Sequence, residues 1–130
     1  MEFRFDKMHG LGNDFAVFED WGACVNLTPA QATLLCDRHF GIGADGLIFI
    51  RSSRTRGCRA FMHYLNADGT LAQMCGNGIR CIEVIIHSLI EILLEFLSLF
   101  HLQSLLLRQF LCRCMLREEF QIIDSSLDTL

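Results

Sequence analysis

From Ile79 to Leu130 the sequence contains no glycine and no proline. All ten glycines fall between Gly10 and Gly78, and the single proline is Pro29. An α/β domain needs such residues at its turns, so the organisation is expected to change near Cys81. Basic charge is scarce in the same stretch. Residues 82–130 hold three arginines, Arg108, Arg113 and Arg117, against seven acidic side chains, which accounts for the whole net charge of −4. That balance speaks against a nucleic-acid partner held by a basic surface. The Met1–Lys7 start lacks the basic and apolar regions of a signal peptide, so export is not expected. Seven cysteines are an odd number, and reducing cytosol suits them better than a disulfide framework, which makes the expected location cytoplasmic. What is present is a core. With 130 residues, 52% hydrophobic and 20% charged, the chain fits one domain or part of one and is not disordered.

Residues 1–81 read as short, punctuated elements. Glu2–Met8 alternates around Phe3, Phe5 and Met8, and Phe15–Phe18 forms a second aromatic run. Both are expected to be strands, joined by His-Gly-Leu-Gly-Asn. Thr28-Pro29 is a helix start, with a hydroxyl N-cap followed by proline at the first helical position. The helix is expected over Ala30–Arg38, with Ala32, Leu35 and Cys36 on one face and Gly41 as its stop. Leu47–Ile50 and Arg59–Leu65 read as further strands, and Asn66-Ala-Asp-Gly69 as a turn.

Residues 82–130 are leucine-rich and read as helical. Thirteen of the twenty leucines lie there. Glu83, His87, Glu91 and Glu95 recur every fourth residue as a narrow polar stripe on an apolar helix. The stretch Ile82–Leu107 is apolar enough to raise a membrane reading. Two glutamates near the bilayer centre would each cost about 2.5–3.5 kcal/mol, so a helix against other protein, or an artefact of sequence, is favoured.

Most motifs have a plain reading. Gly41-Ile-Gly43-Ala-Asp-Gly46 matches the dinucleotide fingerprint, but a helix precedes it and a strand follows, the reverse of the required order. Nucleotide binding is rejected on that ground, and the glycines are read as a tight helix-to-strand loop. Asn26-Leu-Thr28 fits a glycosylation pattern that has no export signal to use it. Cys112-Arg-Cys114 has no second cysteine or histidine pair at zinc spacing. Glu83 and His87 could face one metal, but a solvated stripe is the better reading. His9, His39 and His63 are scattered, and structural roles are expected for each. No metal and no other cofactor are expected.

The segment with chemistry in it is Met74-Cys75-Gly76-Asn77-Gly78-Ile79-Arg80. A cysteine at a helix N-terminus has its thiolate favoured by the dipole and by unpaired backbone N–H groups. Gly76 and Gly78 let backbone amides approach a carboxylate, and Asn77 offers a donor and an acceptor. A buried structural cysteine beside a glycine turn explains the same spacing. Spacing alone leaves both readings open.

Four blocks in order resemble the diaminopimelate epimerase family: Phe5–Phe15 (Phe-Asp-Lys-Met-His-Gly-Leu-Gly-Asn-Asp-Phe), Asp37–Gly46 (Asp-Arg-His-Phe-Gly-Ile-Gly-Ala-Asp-Gly), Asn66–Gly69, and Met74–Cys81 (Met-Cys-Gly-Asn-Gly-Ile-Arg-Cys). They span nearly all of residues 3–81. The resemblance implies an α/β, α+β-like fold in which a mixed sheet curves around a central helix starting near Cys75. It implies a cofactor-independent amino-acid epimerase that converts LL-diaminopimelate to the meso isomer with two cysteines on opposite faces of the substrate. Cys75 matches the first cysteine of that pair. Asn13, Asn66, Gly76 and Asn77 match substrate-binding positions. Gly46 stands where some members carry glutamine, and Gln73 where a glutamate often stands. The resemblance also allows a homodimer in full-length members, and a related racemase or isomerase of the same fold is the runner-up.

The resemblance stops at Cys81. Family members are about twice as long, with two similar domains closing over the substrate. The second should bring a Glu-Arg pair and a Cys-Gly-Thr-Gly block, and neither follows here. The sequence therefore divides into residues 1–81, the N-terminal part of an epimerase domain, and residues 82–130, a helical tail foreign to the family. The tail is expected to reflect a shifted reading frame or a spliced or truncated gene model. A chain with one such cysteine is expected to show no useful turnover alone; a half-domain that binds ligand or pairs with another subunit is the alternative.

Overall fold

The computed structural model describes residues 3–99 and 122–124. The chain runs β1 (Asp6–Gly10), β2 (Asn13–Glu19), α1 (Pro29–Cys36), β3 (Gly46–Ser52), β4 (Ala60–Asn66), α2 (Gly76–Leu99) and β5 (Ile122–Asp124). The strands form one mixed sheet in the order β1-β2-β3-β4-β5. Pairing is antiparallel between β1 and β2 and between β3 and β4, and parallel between β2 and β3 and between β4 and β5. The expected α+β architecture, a mixed sheet packed on a helix that starts beside Cys75, is what the chain adopts.

Alternation sorts the side chains into two cores. Phe15, Val17, Ile48, Ile50, Ala60, Met62 and Tyr64 face α2, where they meet Cys81, Ile82, Ile85 and Ile86. Ala16, Phe18, Leu47, Phe49 and Leu65 face the other way, against Ala32 and Cys36 of α1. Strand β3 is therefore buried on both faces, and its run Leu-Ile-Phe-Ile carries no polar residue.

Several boundaries differ from expectation. The first strand is Asp6–Gly10 rather than Glu2–Met8, and Phe3 and Phe5 are exposed. The cause is the hairpin. Leu11 (φ 55°) and Gly12 (φ 85°) form a two-residue turn with both central residues left-handed, and such a turn fixes register. Gly10 must then pair with Asn13 and Asp6 with Val17. Helix α1 ends at Cys36, short of Arg38, because Asp37 leaves helical geometry. Its carboxylate then accepts the His39 and Phe40 N–H groups. Gly41 acts one step later, where a Cβ would lie 2.1 Å from the Leu34 carbonyl oxygen. Thr28 caps α1 as expected and exchanges hydrogen bonds with Gln31.

Helix α2 runs straight through Cys81, so the compositional break is not a structural one. Residues 82–99 are helical as expected, whereas residues 122–124 add a short strand beside β4. Among the described residues no helix is long and apolar enough to cross a membrane. Cys112 and Cys114 lie outside the described residues.

Candidate functional site

Topology gathers the expected residues at one end of the sheet. Asn13 opens β2, Gly46 opens the parallel β3, and Asn66 closes the antiparallel β4 directly opposite Gly46. Cys75 follows the Asn66–Met74 loop and immediately precedes α2.

Cys75 occupies the N-cap position. Its carbonyl accepts the Ile79 N–H at 3.0 Å, the first turn of the helix. Its sulfur accepts the Gly78 N–H at 3.4 Å, the part a serine or aspartate oxygen plays at an ordinary cap. The Asn13 amide donates to the same sulfur at 3.8 Å. The thiol is half-buried at the rim of the α2-facing core. It is neither solvent-mobile nor sealed.

Glycines make this approach feasible. A Cβ at Gly10 would fall 2.9 Å from the Asn77 Cβ, so the end of β1 touches the first turn of α2 only because Gly10 has no side chain. A Cβ at Gly78 would fall 2.8 Å from Ile48 Cδ1, which seats the helix start on β3. Gly76 has nothing within 4 Å of its Cβ position and faces open space. At Gly46 the room for a side chain is occupied, since a Cβ would lie 2.3 Å from Tyr64 Cε2. The Tyr64 ring thus fills the space beside Gly46. Burial first, and the neighbouring Cys75 second, push its hydroxyl up to about 12.

Of the expected ligands, Asn13 alone touches Cys75 directly. Asn77 accepts from Arg80 at 3.4 Å and packs on Gly10. Asn66 is engaged in its own turn, donating from its side chain to Thr70 Oγ1 at 3.0 Å and from its backbone to the Thr70 carbonyl at 2.8 Å.

A charged cluster that the sequence reading did not single out borders this site. Asp14 accepts from Lys7 at 2.6 Å and from both terminal nitrogens of Arg38, at 2.7 and 3.2 Å. Arg38 also reaches Asp45 at 2.9 Å, and Lys7 donates to the Gly43 carbonyl. The Arg38 guanidinium, with Lys7 beside it, holds the Asp14 carboxyl well below the usual carboxylate range. The signal was available as Lys7, Asp14, Arg38 and Asp45 among the six charged residues of the Phe5–Phe15 and Asp37–Gly46 blocks. A cavity of about 470 Å³ lined by Lys7, Met8, His9, Gly12, Asp14 and Arg38 opens beside it.

The remaining candidates keep their plain readings. The Gly41–Gly46 segment joins α1 to β3, as expected. Glu83 is exposed and His87 pairs with Glu91 at 3.5 Å, a solvated stripe. Half-buried His63 lies 5.8 Å from the Phe49 ring, and burial pushes its pKa down. His9 and His39 are exposed. Among the described residues the five cysteines are free and no group of three His, Cys, Asp or Glu could hold a metal.

Comparison with known proteins matches this geometry to a family. The diaminopimelate epimerase family matches residues 5–91, ten residues further than the motif blocks reach. The diaminopimelate epimerase of Nostoc punctiforme is 51% identical over 83 residues, 63% of this chain and 29% of the relative. That of Thermosynechococcus vestitus is 50% identical over 91 residues, covering 68% of this chain and 31% of the relative. That of Paraburkholderia xenovorans is 47% identical over 81 residues, 62% of this chain and 28% of the relative. The chain spans less than a third of the length of these curated relatives. The matched residues include the hairpin, the Gly41–Gly46 loop, the Asn66 turn and the capped Cys75, and the chain belongs to the diaminopimelate epimerase family.

Proposed function

We propose that this chain carries one half-site of LL- to meso-diaminopimelate epimerisation, with Cys75 as one of the two acid–base groups. The observation that carries the reading is the Cys75 sulfur at the start of α2, receiving the Gly78 N–H and the Asn13 amide. Two donors fix the direction in which the sulfur points, and a base acting on a weak carbon acid needs that placement first. The thiolate takes the α-proton and leaves the electron pair on the substrate carbon. A thiol on the opposite face then returns a proton with inversion. No metal or other cofactor enters the scheme. Asn13, Asn66, Gly76 and Asn77 bind the amino acid, with the open N–H groups of the first turn facing its carboxylate.

The second thiol is the part this sequence does not supply, because no glycine-flanked cysteine follows Cys81. We therefore assign residues 1–81 to the epimerase half-site and read most of residues 82–130, those beyond the family match at residue 91, as a foreign tail from a shifted or spliced frame. Sequencing the coding DNA past codon 75 in three frames tests that assignment. A frame restoring glycine turns and a Cys-Gly-Thr-Gly block supports it, and a confirmed frame with neither overturns it.

An aziridine analogue of diaminopimelate tests the half-site. Covalent labelling of Cys75, with no interconversion of the LL and meso isomers by the chain alone, is expected. Turnover by the purified chain, or labelling spread over the exposed cysteines, would overturn it. The exposed apolar residues of α2 (Leu89, Ile92, Leu93) favour one further element of the reading. The half-domain pairs with another polypeptide, and restoration of activity on mixing with a separately expressed second domain checks this. The whole is a cytoplasmic enzyme, homodimeric at full length, that uses neither nucleic acid nor membrane.

A further inference from the structure

We propose that Asp14 is a positioning residue for the Cys75 half-site, acting through Asn13 and through the Asn66 turn. The inference rests on the proposed role of Cys75 and concerns a residue that never faces the thiol. Strand alternation sends Asn13, Phe15 and Val17 toward α2, and Asp14, Ala16 and Phe18 toward α1. Asp14 therefore cannot touch a substrate held at Cys75. It can only hold what does.

Its side chain is fixed from two segments at once. Arg38 from the end of α1 grips it through both terminal nitrogens, and Lys7 from β1 closes the other side. Only 19% of the Asp14 side chain is exposed, against 56% of Arg38, so the carboxylate is the protected centre of the cluster. A planar guanidinium on a carboxylate fixes orientation as well as distance. The backbone is locked as well. Asp14 N donates to the Asp45 carboxylate at 2.9 Å, and Asp45 N donates back to the Asp14 carbonyl at 2.8 Å. The Asp45 carbonyl in turn accepts the Ala67 N–H at 3.1 Å. One cluster thereby ties the residue after Asn13 to the residue after Asn66, through the Arg38–Asp45 segment.

Asn13 needs such support. It sits one residue after a left-handed two-residue turn whose tip, Leu11 and Gly12, is exposed. Its contact with sulfur is long, at 3.8 Å. A small rotation of the hairpin would lose it. With Asp14 clamped, that rotation is blocked one residue from the amide.

The test uses alkylation of Cys75 by iodoacetamide, read by peptide mass spectrometry, which needs no recognition of diaminopimelate. Exposed Cys24 serves as internal reference, and buried Cys36 and Cys81 report loosening. Asp14→Asn is expected to slow Cys75 alkylation near neutral pH about threefold, as a lost sulfur donor would. Asn13→Ala should do the same, and the double variant should be no slower than either single one, because both remove the same contact. Arg38→Gln, at an exposed side chain, should move the rate the same way and serves if Asp14→Asn does not fold. Unchanged Cys75 alkylation with Cys36 and Cys81 still protected would overturn the proposal. So would additive effects in the double variant, or labelling of Cys36 and Cys81, which would make Asp14 a general stabiliser. Failure of the aziridine analogue to label wild-type Cys75 would instead count against the substrate reading.

Discussion

The two halves of α2 carry the same apolar stripe, but among the described residues the sheet buries it fully only in the first. Ile82, Ile85, Ile86, Leu89, Ile92 and Leu93 recur at i, i+3, i+4, i+7, i+10 and i+11, a single helical face. Ile82, Ile85 and Ile86 are buried against β2, β3 and β4. Leu89, Ile92 and Leu93 are 39%, 62% and 41% exposed. Hydrophobic pattern makes the helix, then, but a cover makes it a fixed support. The first half positions Cys75 because its stripe is anchored; in the second, half-buried Ile90 packs on the same core while Leu89, Ile92 and Leu93 stay exposed.

The largest expected effect contrasts the two halves directly. Ile82→Ala removes a fully buried side chain from the α2-facing core and should cost about 2–5 kcal/mol of stability. Ile92→Ala, on the same face ten residues later, should stay within about 0.5 kcal/mol, since alanine is the better helix former and little burial is lost. Urea unfolding of both variants measures the difference. Equal losses would show that the second half is anchored as firmly as the first.

Legibility in the sequence divides along the same line. Element types were readable wherever the cause was local: the Thr28-Pro29 start, the Asn66–Gly69 turn, and the aromatic run Phe15–Phe18 of β2. The ends of β1 and α1 were not. One is set by the Leu11-Gly12 turn, which overrides the aromatic pattern of Glu2–Met8, and the other by Asp37 capping, which acts before the Gly41 stop. The family blocks singled out Cys75, Asn13 and Asn66, but no spacing rule said that Asn13 rather than Asn66 would reach the sulfur, because that contact crosses 62 positions of chain. The Lys7–Asp14–Arg38–Asp45 cluster escaped for the same reason. Its charges are visible in the sequence, but their pairing depends on the fold.

A middle-sized effect tests how the first half meets the hairpin. Gly10→Ala places a Cβ 2.9 Å from the Asn77 Cβ and 3.2 Å from its Cα, and backbone cannot rotate out of the way. Either β1 or the first turn of α2 must shift, at about 1–3 kcal/mol. The shift should also separate Asn13 from Cys75. The expected result is lower stability together with slower Cys75 alkylation, while exchange of amides at residues 91–96 stays as it was. Loss of protection there as well would mean that the two halves move as one body.

The smallest effect is acid sensitivity, and its sign follows from depressed groups, of which His63 and Asp14 are the less exposed beside Asp37 and Asp68. Burial first, and the positive charge of Arg51 second, lower the pKa of His63, with Asp20 pulling it the other way. A histidine lowered on folding stabilises fully above its ordinary value of 6.5, and that contribution is lost as pH falls through the folded value. Asp14 behaves alike at lower pH. Arg38 and then Lys7 hold its carboxyl down, so its contribution is complete above the ordinary 3.8 and disappears on further acidification. Stability should therefore slope gently downward below about pH 6.5 and more steeply below about pH 4. His63→Gln should remove the first slope and Asp14→Asn most of the second. Because Asp14 lies beside the hairpin that touches the start of α2, the acid step should weaken amide protection in residues 76–82 first. An acid step that appeared first in residues 91–96 would place the sensitive contact in the other half of the helix and break the comparison.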